Sequence, residues 1–167
     1  EGTALYAVVE KDTTLRVNEL DNDGERYYTY YYGMIDGIYE AAGEAVLTAD
    51  ANAGTVIDEE GKIVWERGVK SNTASVSVTG VKVTDSVNSL QAALRMMLSV
   101  KGVTAEISTA EVQQPLQQVM GKYTNADVVV LTGATLDEIL YFIWKGQPVF
   151  AMTEQGTAVV LTSYTSG

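Results

Sequence analysis

The chain has 167 residues, 46% of them hydrophobic, enough for one substantial core or two small ones. Eleven Lys and Arg against 22 Asp and Glu leave a formal charge of −11, which repels nucleic-acid phosphates and anionic membrane surfaces. Cys and His are both absent, so there is no disulfide, no thiolate nucleophile, no imidazole base and no thiolate or imidazole ligand for zinc or iron.

In chain order, Ala4 to Glu10 and Thr13 to Leu20 are β-rich, and Asp21-Asn22-Asp23-Gly24 supplies turn residues between them and a tyrosine-rich segment. Tyr27 to Tyr32 suits a pleated strand, with Tyr28, Tyr30 and Tyr32 on one face and Gly33 ending it. Glu40 to Ala53 reads as a short helix with Gly54 in the C-cap position. Thr55 to Asp58 and Lys62 to Glu66 follow as strands around Glu59-Glu60-Gly61, completing a β-α-β-β unit. Residues 1–70 are expected to form that subdomain and residues 71–167 the second.

The second half begins with a linker and an alternating stretch, Ser75 to Val78 and Val81 to Val83, that has the period of a strand. Asp85 or Ser86 is placed to cap a helix to about Val100, with Leu90, Ala93, Leu94, Met97 and Leu98 as its apolar stripe. Ala110 to Met120 predicts a second helix interrupted at Pro115, and Ala126 to Leu131 a buried strand. Thr135 caps a third helix carrying Leu136, Ile139, Leu140 and Ile143. Strand Val149 to Thr153 and strand Thr157 to Tyr164 then form a hairpin across Glu154-Gln155-Gly156. No apolar run is long enough to span a bilayer, and the ends at Glu1 and Ser166-Gly167 read as those of an excerpt.

Several residues could carry chemistry. Asp21-Asn22-Asp23-Gly24 begins like a calcium loop, but Tyr32 stands where an EF-hand needs its glutamate, so the segment reads as a turn. Tyr28, Tyr30 and Tyr32 could stack on sugars or anchor a protein partner, or could fill a half-buried strand. The carboxylates Asp137 and Glu138, and Asp58, Glu59 and Glu60, are adjacent in sequence and diverge rather than flank a substrate. Lys82 and Lys101 have no spacing that pairs them with Ser89 as a base. Trp65 and Trp144 lie in apolar patterns and read as core or cleft wall.

Three phrases between about Thr84 and Tyr164 belong together. Ser89-Leu90-Gln91-Ala92-Ala93-Leu94 opens a helix; Leu136 to Ile143 runs into Lys145-Gly146-Gln147-Pro148-Val149-Phe150-Ala151-Met152; and Gly156-Thr157-Ala158-Val159-Val160-Leu161-Thr162-Ser163-Tyr164 opens the last hairpin strand. In order and spacing they resemble the papain-like cysteine peptidase domains of the bacteriocin leader-processing, or double-glycine, type. That family begins its helix with Cys-x-x-Ala-Ala-Leu and its hairpin strand with Gly-His-Ala-Val-Val-Leu. Ser89 stands in the cysteine position and Thr157 in the histidine position. Residues Tyr27 to Glu66 are similar to extensions that precede such domains in large surface proteins of gut Firmicutes.

The resemblance implies an α+β chain whose second half packs helices on an antiparallel sheet, and a degenerate site. A hydroxyl without a base has a negligible alkoxide fraction near neutral pH, and losing a nucleophile or its base costs several orders of magnitude in rate. The expected function is a non-catalytic pseudo-peptidase module of a larger exported bacterial protein, extracellular or in the cell envelope, binding a peptide or a cell-surface protein through Ser89, Thr157, Tyr28, Tyr30 and Tyr32. No cofactor, metal, nucleic acid or membrane insertion is expected. A weak hydrolase using Ser89 or carboxylates, and a structural spacer, are the alternatives.

Overall fold

The structure, a computed structural model, describes residues 5–9, 26–32, 34–68 and 70–166; the strand expected at Thr13 to Leu20 and the turn at Asp21 to Gly24 lie outside the described residues. It is an α+β fold, with three antiparallel sheets among the described residues. The elements are β1 (Leu5–Val9), β2 (Tyr27–Tyr31), β3 (Met34–Tyr39), α1 (Ala42–Asn52), β4 (Thr55–Ile57), β5 (Ile63–Glu66), β6 (Thr73–Ser75), α2 (Ser89–Ser99), α3 (Leu116–Tyr123), β7 (Asp127–Val130), α4 (Leu136–Trp144), β8 (Val149–Met152), β9 (Ala158–Leu161) and β10 (Ser163–Thr165), with one 3-10 turn at Glu111–Gln113.

The four-stranded sheet β7-β1-β8-β9 is the centre of the molecule. Tyr6 lies opposite Val130 on one side and Phe150 on the other, so the N-terminal strand is paired along both edges by strands from the second half. The expected division near residue 70 is therefore crossed, and β1 does not belong to a β-α-β-β unit. Local pattern identifies a strand but says nothing of its partner, because strand pairing is decided by the tertiary arrangement.

Alternation along β7 and β8 sends residues to two separate cores. Val128 and Phe150 pack with Leu94, Met97 and Leu98 of α2 and with Val119 and Met120 of α3. Val129 and Val149 pack on the other face, with Ile139, Phe142 and Ile143 of α4 and Ala45, Val46 and Ala49 of α1. The sheet is thus covered by helices on both sides, and its short strands read as continuous apolar runs for that reason.

The second four-stranded sheet, β3-β2-β4-β5, lies against α1. It contains a strand that sequence pattern did not reveal. Asp36 and Gly37 look like turn residues, yet β3 runs through them, with a register shift opposite Thr29 and Tyr30 that absorbs the extra residue as a bulge. The unit is therefore β-β-α-β-β. Tyr32 lies beyond the end of β2 with φ 48°, in the left-handed region, and not in line with Tyr28 and Tyr30.

Two helix ends also differ from expectation. Asn88, not Asp85 or Ser86, caps α2, in a reciprocal box with Gln91. At the end of α1 the left-handed residue is Ala53 (φ 56°), while Gly54 serves close approach: a Cβ there would stand 2.9 Å from the Tyr30 carbonyl oxygen. The stretch expected as a strand at Ser75 to Val83 is not one beyond Ser75; the strand there is β6, which falls mainly in the expected linker and pairs with β10.

Gly43 in the first turn of α1 lets the helix touch the end of β7. A Cβ there would collide with the Thr132 carbonyl and stand 2.8 Å from the Leu131 carbonyl carbon. Gly43→Ala is expected to destabilise the fold by about 2 kcal/mol in urea titration, in spite of alanine's better helix propensity. Ala53→Gly is expected to stabilise it by about 1 kcal/mol, because glycine adopts the left-handed cap without the Cβ penalty.

Candidate functional site

The N-terminus of α2 is held in place by the side chain of Gln91. Its carboxamide oxygen accepts from the Asn88 N–H at 2.9 Å, and its Nε2 donates to the Ile107 carbonyl at 2.8 Å. Asn88 Oδ1 in turn accepts from Gln91 N–H at 2.9 Å. The first helical residue, Ser89, is thereby fixed against the strand opposite.

That strand is β9, the last of its sheet, and it begins at a tight hairpin mouth. Thr153 N–H donates to the Thr157 carbonyl at 2.9 Å, and Thr157 N–H donates back to Thr153 Oγ1 at 3.1 Å. Gly156 carries the positive φ of 78° that the turn requires. The next N–H, that of Ala158, donates to Ser89 Oγ at 3.1 Å. Ser89 and Thr157, 68 positions apart in the chain, are thus neighbours across this contact, with Ser89 half-buried and Thr157 exposed.

Beside the contact opens an apolar cavity of about 190 Å³, lined by Leu90 and Leu94 of α2, Leu116 and Val119 of α3, and Phe150 and Met152 of β8, with Val112 and Gln114 completing the wall. It adjoins Ser89 through Leu90 and adjoins Ala158 through its cross-strand partner Met152. Gln114 alone brings a polar side chain to it. Among the described residues no group of three or more Asp or Glu could hold a metal ion, and no helix is long and apolar enough to cross a membrane.

Tyr28, Tyr30 and Tyr32 are not part of this constellation. Tyr28 and Tyr30 belong to the sheet that packs on α1, with Tyr32 in the turn after β2, whereas α2 packs against β8, β9 and α3. The sequence-nominated residues form two separate places.

Several carboxylates are engaged in structural contacts. Asp137 pairs with Lys70 at 2.8 Å, and Asp58 accepts from the Lys62 N–H at 2.8 Å across the β4–β5 turn while burial pushes its pKa upward. Glu111 accepts from the N–H and Oγ of Ser108, both at 2.8 Å, and from the Tyr123 hydroxyl at 2.9 Å. These hydrogen bonds to its anion hold its pKa down at about 2.

Two features escaped sequence reasoning. Glu138 is only 2% exposed; its carboxylate accepts from Thr135 N–H at 2.6 Å and shares a hydrogen bond with Asp50 of α1, which itself pairs with Arg67 at 3.2 Å. Thr135 and Glu138 carried the signature of a capping box, but nothing local pointed to Asp50. Tyr141 is buried among Trp65, Phe142 and Trp144, its hydroxyl has no hydrogen-bond partner among the described residues, and burial pushes its pKa up to about 12.

Burial first, and the neighbouring Asp50 carboxylate second, raise the pKa of Glu138. A carboxyl whose pKa is raised on folding binds its proton more tightly in the native state, so its contribution is fully present below the ordinary glutamate value and is lost as pH rises through the raised one. Glu138→Gln keeps an acceptor for Thr135 N–H and offers Asp50 a donor. It should raise the melting temperature at pH 8 and match the parent at pH 4; a lower melting temperature at pH 8 would show that the anion stabilises the helix end.

Comparison with protein-family models, with curated proteins and with solved structures finds no match to this chain.

Proposed function

We propose that this chain is a non-catalytic, peptidase-like binding module in which the position of a former nucleophile has become a structural contact and the adjoining cavity takes an apolar side chain of an extended peptide. The observation that carries the reading is the pairing of Ser89 Oγ with the Ala158 N–H beside an apolar cavity of about 190 Å³. A serine opening a helix and facing the first residues of a hairpin strand is the arrangement that the resemblance to papain-like peptidases implies. Membership of a larger exported bacterial protein rests on that resemblance alone.

The chemistry supports binding over hydrolysis. Ser89 Oγ accepts a backbone hydrogen bond, and the chain contains no imidazole to take its proton. The cavity is suited to burial: a dry pocket of about 150 Å³ lined by aliphatic and aromatic groups is enough to hold benzene. This one accommodates an isobutyl or phenyl group, and burying such a side chain contributes about 2 kcal/mol.

Short extended peptides bearing one Leu or Phe among polar residues are expected to bind in calorimetric titration, and the same peptides with Ala in that place about tenfold more weakly. Leu116→Trp, which fills the half-buried rim, should abolish the difference. Ser89→Ala should cost about 1 kcal/mol of stability by leaving the Ala158 N–H unpaired, without abolishing binding. The reading fails if the unmodified protein cleaves fluorogenic peptides and Ser89→Ala removes that activity. It fails equally if no peptide binds, the outcome that a spacer predicts.

A further inference from the structure

The sheet β3-β2-β4-β5 has two unlike faces, and the register specifies both. On the inner face Gly37, Thr29, Val56 and Trp65 form one cross-strand row beneath α1, and all but Gly37 are almost fully buried. On the outer face the next row is Ile38, Tyr28, Ile57 and Ile63, and the one beside it is Ile35, Tyr30, Thr55 and Glu66. Six of these eight positions are apolar or aromatic. Ile38 is 63% exposed, Ile35 55% and Ile63 50%, and among the described residues no helix or strand lies over them. Alternation normally gives a one-sided sheet polar residues on its solvent face, so a second apolar face marks an interaction surface.

The surrounding charge identifies what it accepts. Glu44 and Asp50 belong to α1 on the inner face, but at the Ile57–Ile63 end of the outer rows Glu40, Asp58, Glu59 and Glu60 outnumber Arg26 and Lys62, a local net charge of −2. Glu59 and Glu60 are exposed in the turn at one end of the outer rows, and Glu66 ends the other at the edge strand β5. A second copy would bring the same acidic border against itself, and an anionic membrane is repelled. A sugar would find hydrogen-bonding groups at Tyr28, Tyr30, Thr55 and Glu66, but the four isoleucines that fill the rest of the two rows offer it none. We infer that this face docks a basic amphipathic helix of a partner protein, its apolar stripe on the Ile38–Tyr28–Ile57–Ile63 row and its Lys or Arg flanks against Glu59, Glu60 and Glu66. The inner face provides the precedent: α1 lies on it with Ala45, Val46 and Ala49 buried. The inference is independent of the cavity beside Ser89, which lies on the other sheet.

The test uses a designed peptide of about 18 residues, five helical turns, with Leu on one face and Lys on the other. Three peptides are titrated calorimetrically against the full chain: this one, its scrambled isomer, and a Leu/Glu counterpart. The amphipathic Leu/Lys peptide should bind, the other two roughly tenfold or more weakly, and binding should weaken with added salt. Ile38→Lys with Ile63→Lys should abolish binding. The equal charge change Gln117→Lys with Gln118→Lys, on the exposed side of α3, should weaken it no more than about twofold, the size of a screened long-range effect. Amide chemical shifts of the unmodified protein provide a readout that needs no variant, and should move in Tyr28, Tyr30, Ile38 and Ile63. Equal binding of the scrambled peptide, unchanged affinity in the Ile38/Ile63 variant, or shifts confined to other elements would overturn the proposal. So would sedimentation of the unmodified chain as a dimer that the Ile38/Ile63 variant converts to monomer, since a second copy would then be the occupant.

Discussion

The apolar layer between the two large sheets is the constraint on which the other features depend. Residues of α1 and α4 fill it together with Val56 and Trp65 from one sheet and Val129 and Val149 from the other. A layer shared by two sheets leaves little freedom for either, because interiors pack at crystal-like density and do not absorb a displaced helix. Gly43 is where that tightness is most evident, since α1 approaches the Leu131–Thr132 backbone closely enough to exclude a methyl group. The Trp65 indole N–H adds a directional restraint, donating to the Glu138 carbonyl at 3.1 Å and tying the edge strand β5 to the first turn of α4.

Polar groups drawn into that layer bear its electrostatic cost. Glu138 caps α4 in the ordinary way, but α1 and Asp50 packed against it leave a carboxyl with little water and a like-charged neighbour. Arg67 partly offsets this by pairing with Asp50. Tyr141 contributes ring area to an aromatic group of four, and burial of its hydroxyl pushes its pKa up to about 12.

Outside the layer, the two surfaces proposed for interaction differ in kind. One is concave and neutral, between α2, α3 and β8, where the Ser89–Ala158 hydrogen bond holds the helix start on the edge of the central sheet. The other is the open outer face of β3-β2-β4-β5, broad and apolar within an acidic border. A concave site encloses a side chain, whereas an open sheet face needs a partner that brings its own ordered surface. Neither depends on the other for its geometry.

What the amino-acid sequence determined by itself was local. Thr135 with Glu138, the stripe from Leu90 to Leu98, the Glu154–Gly156 turn and the apolar run into β7 are each specified by residues within one or two turns of each other, and each stands where pattern placed it. The start of α2 at Ser89 and the start of β9 were each placed by local pattern, and the fold brings them together through the Ala158 N–H to Ser89 Oγ hydrogen bond. The tertiary structure alone decided pairing and environment. Leu5–Val9 is a strand by composition, but only the covering of both faces by helices makes it the centre of a sheet whose partners lie more than a hundred residues away. Met34–Tyr39 became a strand in spite of Asp36 and Gly37, because a bulge absorbs the extra residue while Tyr27 and Tyr28 find partners in Tyr39 and Ile38. Alternation correctly set Tyr28 and Tyr30 on one face, yet no periodicity could tell which face α1 would cover. Burial is a property of what packs against a residue, and for Glu138 as for the tyrosines that neighbour is distant in the chain.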